Sequence, residues 1–112
     1  MKKTTAGRAR PSISDLYKSF EKARAAYDAT QSQLPKPGAP KDRFPAWRRR
    51  RRLAVGKARE IAGSIVRAPA NTFDEMIFKI MVARWTPINP GEWYNALTTL
   101  CDDLKRLQKR AA

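Results

Sequence analysis

An uninterrupted run of five arginines at residues 48–52 is the feature of this sequence with the clearest chemistry. Guanidinium groups remain charged at physiological pH and bind phosphate oxygens with two parallel hydrogen bonds. The run follows closely on Phe44 and Trp47, whose rings can stack on unpaired nucleobases. Asp42 is the only carboxylate near the run before Glu60, so the arginines have no local neutralising partner. This pattern predicts binding to a polyanion.

Basic residues are concentrated in the first 70 positions of the chain. The 112 residues carry 24 Lys+Arg and 10 Asp+Glu, which gives a formal net charge of +14 at pH 7. Residues 1–70 hold 18 basic and 5 acidic residues, a net +13, whereas residues 71–112 hold 6 and 5, a net +1. Such an asymmetry indicates a basic face or arm. The predicted nucleic-acid-binding residues are Lys2, Lys3, Arg8, Arg10, Trp47, Arg48, Arg49, Arg50, Arg51 and Arg52.

Each part of this motif also has a structural interpretation. Successive residues of a helix advance about 100°, so the five arginines encircle the helix, and Arg51 falls on the same face as Ala54 and Ala58. Burying an unpaired guanidinium costs several kcal/mol. We therefore expect this end of the helix to extend beyond the core, or the Arg51 side chain to reach along the surface to water. Trp47 is either a base-stacking residue or part of the core.

Most enzyme chemistry is excluded by what the sequence lacks. There is no histidine to act as a general base or metal ligand, and the single cysteine, Cys101, rules out an intramolecular disulfide and a cysteine-built zinc site. Asp102 and Asp103 are adjacent, so on a helix they point about 100° apart and converge poorly on one metal ion. The glycines do not form a phosphate-binding loop. We predict a non-enzymatic protein with no cofactor and no metal.

Four helices separated by proline-containing segments must position these residues, and no segment has the pattern of a strand. The sequence predicts a disordered basic arm over residues 1–11, an N-terminal helix over 12–34, a proline-rich linker over 35–44 and a compact three-helix unit over 45–110. The predicted fold class is therefore all-α, a small four-helix domain.

Helix starts are marked by residues that satisfy free backbone N–H groups. Ser12 and Thr72 each have an acidic residue three positions later, which is the spacing of a capping box. Pro45 and Pro90 fit the first turns of the second and fourth helices, where a missing N–H costs nothing.

Apolar periodicity predicts which face of each helix is buried. The first helix has a continuous seam from Leu16 to Leu34, and the third helix is the most apolar and is predicted to be central. Gly56 and Gly63 lie seven residues apart in the second helix and mark either weak points or, as we favour, close packing of another helix. Cys101 is predicted to be buried beside the seam of the fourth helix. That seam comprises Trp93, Leu97, Leu100, Leu104 and Leu107.

Part of the C-terminal half is similar to a group of bacterial proteins. Pro-Ala-Asn-Thr at residues 69–72, Lys79 within an apolar helix, and Leu-Cys-Asp-Asp-Leu-Lys-Arg-Leu at residues 100–107 resemble uncharacterised small helical proteins encoded in alphaproteobacterial genomes and prophages. The arginine run and the proline-rich linker are not part of that pattern. The resemblance implies a bacterial or phage setting and a non-enzymatic accessory role, and it carries over no site residue.

Two functions from different classes are consistent with the sequence. The first is binding of DNA or RNA through phosphate contacts, largely without sequence specificity, since such contacts carry no base information. The alternative is a helical protein–protein interaction or oligomerisation module, which forms a homodimer through residues 12–34 or binds an acidic protein with its basic face.

The sequence also bears on where the protein acts. The arginines encircle their helix instead of lying opposite an apolar face, and this arrangement does not favour binding to a membrane surface. No apolar stretch follows the basic residues at the start of the chain, so we find no secretory signal and predict a cytoplasmic protein.

Overall fold

The chain folds into four α-helices. The computed structural model describes residues 11–111, and this part of the chain contains no strand. The helices are α1 (Ile13–Ser32), α2 (Arg43–Arg67), α3 (Phe73–Ala83) and α4 (Pro90–Ala111). The prediction of a small all-α protein with four helices is confirmed. Four basic residues of the predicted arm lie outside the described residues: Lys2, Lys3, Arg8 and Arg10.

The predicted capping residues begin α1 and α3. The Ser12 hydroxyl accepts a hydrogen bond from the Asp15 N–H at 3.1 Å, and the Thr72 hydroxyl accepts one from the Glu75 N–H at 3.1 Å. Each cap satisfies one of the N–H groups that a helix leaves without a partner in its first turn.

Helix α2 begins at Arg43, two residues before the predicted start at Pro45. Pro45 remains within the first turn, where its missing N–H removes no intrahelical hydrogen bond. The two added residues come from the segment predicted as a linker. The rest of that segment turns at Gly38, whose φ of 89° suits a residue without a Cβ.

Helix α1 lies against α2 and α3 of the same chain. Its predicted seam is buried at Phe20, Ala23 and Tyr27. The Phe20 ring meets the Trp85 ring edge to face, with 5.2 Å between the ring centroids. This side of α1 is therefore covered within the chain and is not the free surface on which the predicted homodimer through residues 12–34 was based.

Small side chains of α2 form the centre of the core. Ala58, Ala62, Ile65 and Val66 are all completely buried. Alanines at two of these positions allow neighbouring helices to approach α2 closely, while Ile65 and Val66 fill the space between them.

Of the two glycines in α2, only Gly63 lies against another helix. A Cβ at Gly63 would collide with Oε2 of Glu92 in α4, whereas a Cβ at Gly56 would have nothing within 4 Å. Glu92 forms an ion pair with Arg67 and accepts a hydrogen bond from the Asn95 side chain at 2.7 Å. The prediction of close packing is confirmed for Gly63 and is wrong for Gly56.

The largest completely buried side chain is that of a lysine in the middle of α3. Lys79 Nζ donates to Asp103 Oδ2 at 2.6 Å and to the Ala68 carbonyl at 2.8 Å. Asp103 Oδ1 accepts from the Ala70 N–H at 3.0 Å and from the Arg106 guanidinium at 2.6 Å. Arg106 also donates to the Ala70 carbonyl at 2.8 Å. This network ties α3, α4 and the segment that follows α2 to one another.

The network determines which face of α4 is buried. Glu92, Ala96 and Asp103 are the buried residues of this helix. The prediction that the seam of α4 is buried is therefore wrong, because Trp93, Leu97 and Leu104 are 49%, 49% and 51% exposed. Leu100 and Leu107 are partly buried against the core, and Cys101, predicted to be buried, is exposed.

Helix α3 likewise buries the face that carries its member of the charged pair. Lys79 shares its buried face with Met76, Val82 and Ala83. The prediction that this apolar helix is central is correct only for that face. Four large apolar side chains of α3 are exposed: Phe73, Ile77, Ile80 and Met81.

The buried pair makes one prediction about stability. Lys79→Met leaves the buried Asp103 carboxylate without its ammonium partner, so we expect the free energy of unfolding to fall by about 3 kcal/mol. Lys79→Met with Asp103→Asn removes that carboxylate charge and restores at least about 1 kcal/mol. Lys105→Met, at an exposed lysine of α4, is the control and changes the stability by less than about 0.5 kcal/mol. Urea unfolding measures all three. A Lys79→Met protein as stable as the Lys105→Met protein contradicts the buried pair.

The two glycines of α2 provide a second prediction. Gly56→Ala meets no neighbour and raises the free energy of unfolding by about 0.5–1 kcal/mol through helix propensity. Gly63→Ala gains the same propensity but displaces the Glu92 carboxylate from Arg67, so we expect it to be at least about 1 kcal/mol less stable than Gly56→Ala. Urea unfolding at one pH compares them. Equal stability of the two variants would show that α4 does not pack closely on Gly63.

Candidate nucleic-acid interface

The end of α2 that carries the arginine run is attached to α1 by Trp47. The indole Nε1 donates to the Thr30 carbonyl in the last turn of α1, at 2.7 Å. The same carbonyl also accepts a hydrogen bond from the Gln33 N–H just beyond the helix, at 3.1 Å, so it uses both of its acceptor sites. Trp47 is partly buried, but it is not among the side chains that form the hydrophobic core. Any base stacking by Trp47 would use only the part of the ring that remains exposed.

Arg51 occupies the space between α1 and α2. Its guanidinium carbon lies 5.4 Å from the centroid of the Tyr27 ring and 5.9 Å from that of the Trp47 ring. One Nη donates to the Tyr27 hydroxyl at 3.0 Å, whereas the buried Nε has no hydrogen-bond partner. The aromatic faces attract the cation without neutralising it. Arg51 therefore acts as a packing residue that keeps its positive charge at this end of the molecule.

The other four arginines of the run are exposed to solvent. Arg48 and Arg52 are four residues apart and lie on one side of α2, while Arg49 and Arg50 point in other directions around the helix. Within residues 11–111, the ion pairs are formed by other cations, and no carboxylate lies within 4 Å of these four guanidinium groups. We call this group the arginine cluster, and its members are Arg48, Arg49, Arg50 and Arg52.

Three further basic residues extend the cluster along α2 and were missed in the sequence analysis. Arg43 and Lys57 lie seven residues before and after Arg50, so the three side chains follow one line along the helix, and all are exposed. Lys41 is exposed just before the helix begins. A groove of about 310 Å³ runs beside Arg43 and Arg50. This spacing of seven residues is visible in the sequence and predicts that the three side chains lie along one line of the helix.

One arginine of the same helix has a structural role instead. Arg59 Nε donates to the Pro87 carbonyl at 2.6 Å and so holds the loop between α3 and α4 against α2. The basic surface therefore follows α2 from Arg43 to Lys57, and it ends near Arg59, where the loop between α3 and α4 is held against the helix.

The acidic residues of α4 contribute nothing to a metal site. Asp103 is used in the buried pair with Lys79, and Asp102 points to solvent. Among residues 11–111, no three Asp, Glu, Cys or His side chains are grouped so that they could hold a metal ion. None of the four described helices is long and apolar enough to cross a membrane.

Comparisons with known proteins add no family to this description. No family model matches the chain, and no curated protein or solved structure was found to match it. The similarity to alphaproteobacterial and prophage proteins stays a prediction. The functional interpretation therefore depends on the geometry of the described residues.

The position of Trp47 predicts how its replacement affects folding. Trp47→Phe loses the hydrogen bond to Thr30 and part of the contact with α1, so we expect the free energy of unfolding to fall by about 1–2 kcal/mol. Tyr94→Phe is the control, because Tyr94 is an aromatic residue of α4 that is 72% exposed, and it should cost less than about 0.5 kcal/mol. Thermal unfolding followed by circular dichroism compares them. Equal melting temperatures would contradict the anchoring of Trp47.

Proposed function

We propose that the protein binds nucleic acid through phosphate contacts made by the arginine cluster, largely without sequence specificity. The observation that carries this proposal is the exposure of four neighbouring guanidinium groups with no carboxylate within 4 Å among the described residues. Such groups repel one another in the free protein, and this repulsion is relieved when each meets a phosphate. The proposal describes a binding protein and not an enzyme, in keeping with a sequence that contains no histidine.

The cluster has the properties of a backbone-binding element. Its members point in several directions from one helix, so that they can reach phosphates but do not converge on the edge of one base pair. Arg43, Lys57 and Lys41 add positive charge on the same part of the molecule. The basic arm, with Lys2, Lys3, Arg8 and Arg10, is predicted to contribute further phosphate contacts of the same kind.

Counterion release gives this mechanism a measurable signature. Four arginines that neutralise four duplex phosphates contribute about −3.6 to the slope of log affinity against log salt concentration. Between about 50 and 200 mM salt, the affinity due to these contacts then falls about 10²-fold. A single-stranded probe gives a smaller slope per contact, about −0.7 instead of −0.9.

The test is fluorescence anisotropy of a labelled duplex DNA and a labelled single-stranded RNA over a salt series. The cluster variant carries glutamine at Arg48, Arg49, Arg50 and Arg52. The control variant removes the same amount of charge from the other half of the chain, with glutamine at Arg84, Lys105, Lys109 and Arg110. We expect the cluster variant to lose about 3 units of slope on duplex DNA, while the control loses less than about one unit.

The two variants separate a local contact from general attraction to a basic protein. Equal losses in both would contradict the arginine cluster as the binding element, and so would unchanged binding by the cluster variant. A comparison of the two wild-type probes at the same salt concentration identifies which nucleic acid is bound more tightly. Circular dichroism spectra confirm that both variants keep their helices.

A further inference from the structure

The hairpin of α3 and α4 presents a continuous row of large apolar side chains to solvent. On α3 they are spaced by four and three residues, and on α4 by four and seven, so each set lies on one face of its helix. Their exposures range from 44% to 67%. We call this surface the α3–α4 face, and it consists of Phe73, Ile77, Ile80, Trp93, Leu97 and Leu104.

The positions of the two sets on their helices indicate that they lie on neighbouring sides of the hairpin. On one side of Asp103, Thr99 and Arg106 reach the carbonyls of Val66 and Ala70, at the end of α2 and just beyond it. The exposed leucines of α4 lie on the opposite side of Asp103, toward α3. In α3, the exposed isoleucines lie about 100–160° from Lys79, on the side away from α1. The two sets thus flank the contact between α3 and α4 on the surface that faces away from α2.

No segment of this chain is suited to cover the α3–α4 face. The remaining residues of the range 11–111 lie elsewhere in the fold and leave these six side chains exposed. Residues 1–10 contain only Met1 as a large apolar side chain. The six side chains leave on the order of 500 Å² of apolar surface uncovered. A standard interface buries about 800 Å² per partner, and about 65% of that area is apolar in homodimers. The face therefore has the apolar area that one side of a small homodimer interface requires.

We propose that a second copy of this chain docks on the α3–α4 face to form a twofold-symmetric dimer. The distribution of charge favours this occupant. Two chains that each carry +14 repel one another unless they meet where charge is low, and residues 71–112, which include this face, carry only +1. An acidic macromolecule would instead be attracted to residues 1–70, where the other +13 resides.

The geometry of α4 specifies the arrangement of the copies. Its exposed apolar row extends from Trp93 to Leu104, with its midpoint between residues 98 and 99. In an isologous interface, residues near the symmetry axis meet their own counterparts. An antiparallel crossing of the two α4 helices near residues 98 and 99 buries both rows and brings the two exposed Cys101 thiols close to the axis. The arginine cluster of each copy stays uncovered, because it lies near the beginning of α2 and the α3–α4 face points away from α2.

Sedimentation equilibrium of the protein without nucleic acid tests the dimer separately from the proposed nucleic-acid function. From about 1 to 100 µM, we expect the mass to rise from that of the 12.7 kDa chain toward twice that value. Leu97→Glu and Leu104→Glu each place a carboxylate in the apolar interface and raise the dissociation constant at least about 10²-fold. Leu53→Glu is the matched control, because Leu53 is 68% exposed on α2, outside the α3–α4 face, and leaves the dissociation constant within about threefold.

Each outcome decides the proposal. A mass of one chain at every concentration overturns it. A dimer that survives Leu97→Glu and Leu104→Glu, or one that is lost equally with Leu53→Glu, overturns the assignment to this face. All three positions are at least 49% exposed within one chain, so the substitutions do not disturb the fold, and circular dichroism verifies this.

Cross-linking through Cys101 supplies a measurement that needs no substitution in the interface. A short bis-maleimide reagent should link two wild-type chains, and the yield should fall on dilution together with the dimer mass. The Leu53→Glu protein should give the wild-type yield and the Leu97→Glu protein almost none. Equal yields from all three proteins would contradict a dimer with the two α4 helices at its centre.

Discussion

The ion pair between Lys79 and Asp103 is the contact on which the arrangement of the four helices depends. Both side chains are completely or almost completely removed from water, so neither charge is tolerated without the other and its further hydrogen bonds. Lys79 is bound to the end of α2 through the Ala68 carbonyl, and Asp103 through the Ala70 N–H. One pair thus joins three helices. Replacing such a pair by apolar side chains often maintains stability, so its contribution here is to orientation.

This orientation accounts for the two surfaces of the molecule. Because Lys79 and Asp103 point inward, the more apolar sides of α3 and α4 point outward and form the α3–α4 face. The core beneath relies on the small and branched side chains of α2 and on the aromatic contacts of α1 with Trp85. The basic surface lies on α2 from Arg43 to Lys57, the part that Trp47 and Arg51 attach to α1. Nucleic-acid binding and self-association therefore use separate parts of the chain and can be tested separately.

The sequence predicts what depends on local patterns. Ser12 and Thr72 cap their helices because capping involves residues only three positions apart, and the buried side of α1 follows from its regular seam. In each case one helix and its own periodicity contain the necessary information.

Prediction fails where a polar contact between distant residues overrides hydrophobic periodicity. Trp93, Leu97 and Leu104 form a regular row, and their periodicity alone assigns them to the core. Lys79 and Asp103 are 24 residues apart, and no local rule pairs them. The sequence does contain one indication of this pair, which is the lysine inside the most apolar helix. Such a lysine either lies on the exposed side of the helix or needs a buried acidic partner.

The chemical reactivity of Lys79 tests the inward orientation most directly. The native protein is treated briefly with an amine-acetylating reagent, and the modification of each lysine is followed by mass spectrometry, with the exposed Lys57 and Lys109 as internal references. The structure predicts that Lys79 reacts on the order of 10² times more slowly than these references, because its amine becomes accessible only when the helices open. Acetylation of Lys79 at the rate of Lys57 and Lys109 would mean that α3 turns its lysine to solvent and its isoleucines inward, which contradicts both the buried pair and the α3–α4 face.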